Sequence, residues 1–77
     1  MNQEQRKALN ILLSKIEEIK EEITSFQEQE EEKYNNLSEG LQATENGQKL
    51  EAIAEHLSDA VSNLETAIDD ITNAIEL

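Results

Sequence analysis

Cysteine, proline and tryptophan are absent from this chain, and its only aromatic residues are Phe26 and Tyr34. Without cysteine, neither a disulfide framework nor a thiolate metal site can stabilise the fold. Without proline, and with so few aromatic residues, the composition is typical of long helices and not of a mixed fold with aromatic core layers. A small all-α protein is therefore expected.

Long apolar runs are also missing. No stretch of the 77 residues resembles a signal peptide or could span a bilayer, so we expect a cytoplasmic protein that does not enter the membrane. Basic residues are scarce, with six Lys and Arg against eighteen Asp and Glu, a net charge of −12. Because each phosphate contact normally needs a Lys or Arg, this charge argues against direct binding of nucleic acid or anionic lipid.

Two runs of the chain have the apolar spacing of a heptad repeat. Apolar residues alternate three and four positions apart, which places them on one side of a helix. In the first run they are Leu9, Leu12, Ile16, Ile19, Ile23 and Phe26. In the second run they are Leu50, Ile53, Leu57, Ala60, Leu64, Ala67, Ile71 and Ala74. The first seam turns polar at Glu30 and Lys33.

The segment between the two runs contains both glycines, Gly40 and Gly47. If the chain folds back near residues 41–42, apolar residues of the first run face apolar residues of the second. The residue numbers of each facing pair, such as Leu9 and Ile75, then add up to 83 or 84. This constant register predicts an antiparallel two-helix coiled-coil hairpin in one domain, residues 1–77, with helices at about 3–35 and 47–76 and a bend at 36–46. Thr44 is the expected N-cap of the second helix. A single continuous rod is the alternative.

The apolar stripe of the second helix is wider than one partner helix needs, since β-branched residues lie beside the heptad alanines. A small two-helix hairpin covers such a stripe poorly, so we expect a homodimer that forms a four-helix bundle, or docking onto another protein's helices. The residues predicted to support self-association are Val61, Leu64, Ile68, Ile71 and Ile75.

Catalytic and metal-binding patterns are missing. His56 is the only histidine, and neither a Glu-x-x-His pair nor a His-Glu-x-x-His helix accompanies it, so we interpret it as a boundary residue of the apolar stripe. No nucleophile-base pair or glycine-rich phosphate loop is apparent. We therefore predict a protein without catalytic residues, metal or cofactor that is not an enzyme.

The bend segment "YNNLSEGLQATENGQ" carries a resemblance to known sequences. The chain resembles a group of short uncharacterised acidic proteins encoded by Gram-positive bacteria and their phages or mobile elements. The matching positions are Tyr34, Asn36, Leu37, Ser38, Glu39, Leu41, Gln42, Glu45 and Gly47. Ser38 stands where that group more often has proline. The resemblance implies a phage or mobile-element setting and no established activity.

From Leu50 onward the chain holds seven carboxylates and no basic residue, which suggests two functions. The acidic face could engage a basic nucleic-acid-handling host protein, such as a defence nuclease, and inhibit or modulate it. The residues predicted for this contact are Glu51, Glu55, Asp59, Glu65, Asp69 and Asp70. Alternatively, the face only keeps the bundle soluble, and the protein is a structural or assembly protein that uses its apolar stripe.

Overall fold

The computed structural model describes all residues 1–77 and contains three helices and no strand. Helix α1 spans Gln3–Asn35, the short α2 spans Glu39–Gln42, and α3 spans Glu45–Glu76. The two long helices pack against each other over most of their length, and the molecule measures 58 × 16 × 13 Å. The expected all-helical architecture with two long packed helices is therefore confirmed, and the continuous rod is excluded.

Both long helices begin at capping residues. Asn2 accepts a hydrogen bond from the Gln5 amide at 2.8 Å, and the Gln5 side chain accepts one from the Asn2 amide at 3.1 Å, which completes a capping box. Thr44 accepts one from the Gly47 amide at 3.2 Å, so it is the N-cap of α3 as predicted. Because of this cap, α3 begins at Glu45, two residues before the predicted start.

The bend is held by the short helix α2 and one glutamine. Ser38 caps α2, and the Gln42 side chain donates hydrogen bonds to the carbonyl oxygens of Tyr34 and Leu37, each at 3.2 Å. The Tyr34 carbonyl lies in the last turn of α1, where carbonyl groups lack partners within the helix, and the Leu37 carbonyl lies two residues beyond the end of α1. Gln42 thereby ties the end of α1 to the bend.

Gly47 is buried against this bend, and its lack of a side chain is required there. A Cβ atom at Gly47 would lie 2.6 Å from the carbonyl oxygen of Gln42 and still closer to that of Leu41. A Cβ atom at Gly40 would meet nothing within 4 Å. Although glycine is a poor residue for a helix start, Gly47 allows α3 to approach the bend closely.

The seam between α1 and α3 differs from the predicted one by a rotation of each helix. The half-buried residues of α1 are Arg6, Leu9, Leu13, Ile16, Lys20, Ile23, Thr24, Gln27, Glu30 and Tyr34. Those of α3, together with the buried Gly47 and Ala54, are Leu50, Leu57, Ser58, Ala60, Val61, Leu64, Ala67, Ile68, Ile71, Thr72 and Ile75. Lys20 reaches Glu65, and Tyr34 shares a groove with Glu51, so these neighbouring positions add up to 85 and the register agrees with the prediction to within one or two residues.

The prediction that Leu12, Ile19, Phe26 and Ile53 lie in this seam is wrong, because all four are exposed. On α3 the rotation places Val61, Ile68 and Ile75 in the seam, where they bury more apolar area than the heptad alanines would. The resulting core is shallow: Ala54 is the only apolar residue that is fully buried.

Candidate interaction surfaces

The hairpin has two broad sides, one on each flank of the seam. On one side, Glu31 of α1 lines the same shallow groove as Glu51 and Ser58 of α3, and Lys20 reaches Glu65. Positions at heptad spacing from these residues lie on the same side of their helices. The two helices therefore combine their flanks into two continuous surfaces, which differ in chemistry.

The first surface, called here the acidic side, carries carboxylates from both helices. Its members are exposed residues that share the flank of Glu31 and Glu51 by helical spacing. Its eight members are Glu17, Glu21, Glu28 and Glu31 of α1 and Glu51, Glu55, Glu65 and Asp69 of α3, while Glu76 and Lys7 lie on the same flank at the far end of the hairpin, outside this set. The contributions of α1 were not among the predicted site residues, although the predicted hairpin register could have placed them beside α3.

The six predicted partner-binding residues do not all lie on the acidic side. Glu51, Glu55, Glu65 and Asp69 lie there, whereas Asp59 lies on the back of α3, away from the seam. Asp70 follows Asp69 directly, so it lies about 100° further around the helix, toward the opposite side. All of these carboxylates are exposed. Their role in partner binding stays a prediction.

Few cations compensate the acidic side. Lys20 lies at the seam, and its Nζ is 3.9 Å from Oε1 of Glu65, a long ion pair whose glutamate side chain is 58% exposed. An exposed pair of this length adds little stability, on the order of 0–1 kcal/mol. Glu30, which makes the seam polar, is paired with Lys33 at 2.9 Å. The surface field of the acidic side is therefore strongly negative.

A groove of about 350 Å³ opens on the acidic side near the bend. It is lined by Tyr34 and Asn35 of α1, among others, and by Glu51, Ala54 and Glu55 of α3. A hydrogen bond to the Glu51 carboxylate raises the pKa of the Tyr34 hydroxyl above its ordinary value, and desolvation and the negative charges of Glu51 and Glu55 act in the same direction. Tyr34 of α1 thus lies close to two carboxylates of the acidic side on α3.

No group of three or more His, Asp or Glu side chains in the structure is arranged to hold a metal ion. His56 is exposed on α3. The many carboxylates project in different directions along two straight helices and do not converge on one point. The acidic side can therefore present charge to a partner over a distance, but it does not form a compact coordination site.

The second surface, called here the apolar side, lies on the opposite flank of the seam. Leu12 and Ile19 of α1 are each 48% exposed, Phe26 is 60% exposed, and Ile53 of α3 is 45% exposed. Ala60 and Ala67 continue the row of Ile53 at heptad spacing and are partly exposed. These six residues define the apolar side.

The five residues predicted for self-association lie elsewhere. Val61, Leu64, Ile68, Ile71 and Ile75 are half-buried in the seam between α3 and α1. They form the contact within one chain, and a further role between chains stays a prediction. Four of the exposed large apolar side chains, Leu12, Ile19, Phe26 and Ile53, belong instead to the apolar side, and sequence reasoning assigned them to the seam.

The chain matches no family model, no curated protein and no solved structure. The resemblance of the bend segment to short phage and mobile-element proteins therefore stays a prediction. None of the helices combines the length and the apolar character needed to cross a membrane.

Proposed function

We propose that this protein is a non-enzymatic interaction module whose acidic side binds a basic protein partner. The partner class that fits best is a nucleic-acid-handling protein, which the module would inhibit or modulate by occupying the basic groove meant for a phosphate backbone. In a phage or mobile-element setting, that partner would be a cytoplasmic host protein such as a defence nuclease.

The observation that carries this proposal is the density of charge on the acidic side. Its members on α3 extend from Glu51 to Asp69, about 27 Å of helix at 1.5 Å per residue. The members on α1 run alongside, since Glu31 shares a groove with Glu51. Eight carboxylates over this length give one charge per roughly 3.4 Å, which equals the charge spacing along one DNA strand.

The rigidity of the two helices also favours binding through the acidic side. The carboxylates belong to two packed helices and not to a flexible acidic tail, so little conformational entropy is lost when they meet a complementary surface. A chain with a net charge of −12 attracts a basic partner over a distance of about one Debye length, ~8 Å at physiological salt. Fast association that weakens with added salt is therefore expected.

The experiment that tests the proposal compares two variants with the same net charge. Each variant neutralises four carboxylates and changes the net charge from −12 to −8. The test variant alters the acidic side with Glu21→Gln, Glu28→Gln, Glu55→Gln and Asp69→Asn. The control variant alters other exposed acids with Glu18→Gln, Glu32→Gln, Asp59→Asn and Asp70→Asn.

Both variants and the wild type are tagged and used to capture proteins from a bacterial lysate at low and high salt. Any captured nuclease, polymerase or DNA-binding protein is then purified and its affinity measured directly, together with its ability to bind DNA in competition. We expect the test variant to lose affinity and the control variant to retain it. Equal losses in both variants, or binding that persists at high salt, would contradict the proposal.

A second candidate function is that of a structural or assembly protein that docks on helices through its apolar side. The exposure of Leu12, Ile19 and Phe26 favours it, since a chain of this size gains stability by covering such residues. The two functions use opposite sides of the hairpin. One protein could therefore perform both.

A further inference from the structure

We propose that the apolar side is the interface for a second copy of this chain and that the two hairpins form a four-helix bundle. This inference names the surface and the occupant for the second candidate function. It is independent of the acidic partner, because the acidic side remains free on the outside of such a dimer.

The first argument is the area that the single chain leaves exposed. A globular monomer of 8.7 kDa exposes about 4,700 Å², whereas this chain exposes 5773 Å², an excess of roughly 1,000 Å². A stable interface of standard size buries about 800 Å² on each partner. Covering the apolar side with one further copy would therefore bring the exposed area of each chain close to that of an ordinary monomer.

The second argument is that the apolar side is complementary to itself in size. Three of its large residues, Leu12, Ile19 and Phe26, lie on α1, whereas α3 contributes Ile53 near the bend and the small residues Ala60 and Ala67. In the observed register Ile19 is level with Glu65, two residues from Ala67, and Phe26 lies equally close to the level of Ala60. A two-fold axis along the hairpin would place α1 of each copy over α3 of the other.

In that arrangement Ile19 and Phe26 of each copy lie close to Ala67 and Ala60 of the other, so two layers pair a large side chain with a small one. An unrelated partner helix would have to supply both halves of this pattern, whereas a second copy carries them already. The size complementarity therefore favours the second copy over other occupants.

The third argument is the distribution of charge. Two chains of net charge −12 repel each other unless their carboxylates point apart. The eight members of the acidic side lie on the flank opposite to the apolar side, whereas the flank of the apolar residues carries two carboxylates, Glu22 and Asp70, and three of the six basic residues, Lys15, Lys33 and Lys49. Association through the apolar side thus directs most of the negative charge outward.

The experiment measures the mass of the untagged full chain by sedimentation equilibrium and light scattering over a range of micromolar concentrations. Two pairs of variants accompany it. Ile19→Asn disrupts the apolar side, and Ile11→Asn makes the same change at a residue that is 60% exposed on the back of α1. Ala67→Gln fills the small half of the interface, and Ala52→Gln is its control at an exposed position of α3.

We expect the mass of two chains for the wild type and for both controls. Ile19→Asn and Ala67→Gln should each raise the dissociation constant by at least about tenfold. Glutamine is a good helix former, so Ala67→Gln tests the contact without weakening the helix, and circular dichroism checks that helicity is retained. The wild-type dimer should persist at high salt, which separates it from acidic-side binding.

Several results would overturn the inference. They are a wild-type mass of one chain, a mass above two chains, or equal effects from the two members of either pair. Failure of the acidic-side proposal would leave these masses unchanged, since the four carboxylates neutralised in its test variant lie outside the interface.

Discussion

Replacing Gly47 with alanine tests whether close packing at the bend holds the hairpin together. The added Cβ would lie 2.6 Å from the Gln42 oxygen and 2.8 Å from the Gln42 carbonyl carbon, where an ordinary contact is 3.4 Å or more. All the atoms it meets belong to the backbone, so no flexible side chain can move aside. The bend must therefore shift by nearly 1 Å relative to α3.

The expected change in the free energy of unfolding combines two costs with one gain. Overpacking of this kind costs about 1–3 kcal/mol, and moving the bend also strains the two hydrogen bonds of Gln42, each worth about 1 kcal/mol. Alanine offsets about 1 kcal/mol of this by its higher helix propensity. A net destabilisation of about 1–3 kcal/mol remains, a large fraction of the ~3–5 kcal/mol that a chain of this size can have.

The matched control is Gly40→Ala. A Cβ at Gly40 meets nothing within 4 Å, and neither glycine has a positive φ, so alanine fits this position without strain. We expect Gly40→Ala to stabilise the protein by about 0.5–1 kcal/mol, mainly by restricting the unfolded chain. The two substitutions are chemically identical and should act in opposite directions.

The assay is thermal and urea unfolding followed by circular dichroism, with all proteins at one concentration because self-association would shift the midpoints. Gly47→Ala should lower the melting temperature by roughly 5–20 °C, and Gly40→Ala should raise it by a few degrees. If Gly47→Ala proved as stable as Gly40→Ala, the argument from close approach at the bend would be refuted.

Two further predictions concern Gln42 and Tyr34. Gln42→Ala removes the hydrogen bonds to the carbonyl oxygens of Tyr34 and Leu37 and should destabilise the protein by about 1–2 kcal/mol. Gln48→Ala, at an exposed position, should change the stability by less than about 0.5 kcal/mol. Urea unfolding measures both variants, and equal effects would contradict the role of Gln42. The pKa of Tyr34 is higher in the folded state than its value of about 10 in the unfolded chain. The protonated hydroxyl therefore stabilises the fold fully below a pH of about 10, and this stabilisation is lost as the pH rises through the pKa of the folded state. Spectrophotometric titration of this single tyrosine should give a higher pKa in buffer than in urea. Glu51→Gln should lower the pKa of the folded state, whereas the more distant Glu65→Gln should leave it unchanged. An unchanged pKa in Glu51→Gln would show that Glu51 is not the cause.

The elements and the register were predictable because both depend on local or periodic features. Heptad spacing defines a helix whatever its partner, and the only two glycines mark the interruption between two such runs. Since both runs repeat every seven residues, folding the chain at this point leaves one consistent pairing, in which Leu9 opposes Ile75. Thr44 was recognisable as an N-cap because capping requires only a short hydroxyl side chain just before a helix.

The rotation of each helix about its own axis was decided only by the tertiary structure. The apolar stripe of α3 is wide enough to accept two rotations, one with Ala60 and Ala67 in the seam and one with Val61 and Ile68. Burial of the larger pair favours the second, a comparison that requires both helices in place. The corresponding rotation of α1 leaves Ile19 exposed. The apolar side and the acidic side therefore lie on opposite flanks of the seam.

The same dependence on the packed helices explains the site residues that sequence reasoning missed. Spacing along α3 identified Glu51 and Glu55, but Glu31 joins them only because α1 lies alongside and shares their groove. Glycine is a poor residue for the first turn of a helix, and only the folded chain shows that the bend approaches Gly47 too closely for a side chain. The sequence by itself thus determined the helices, their order and their pairing, since these follow from periodicity along one chain. The tertiary structure decided which flank of each helix is buried, because that choice depends on the area that both helices bury together.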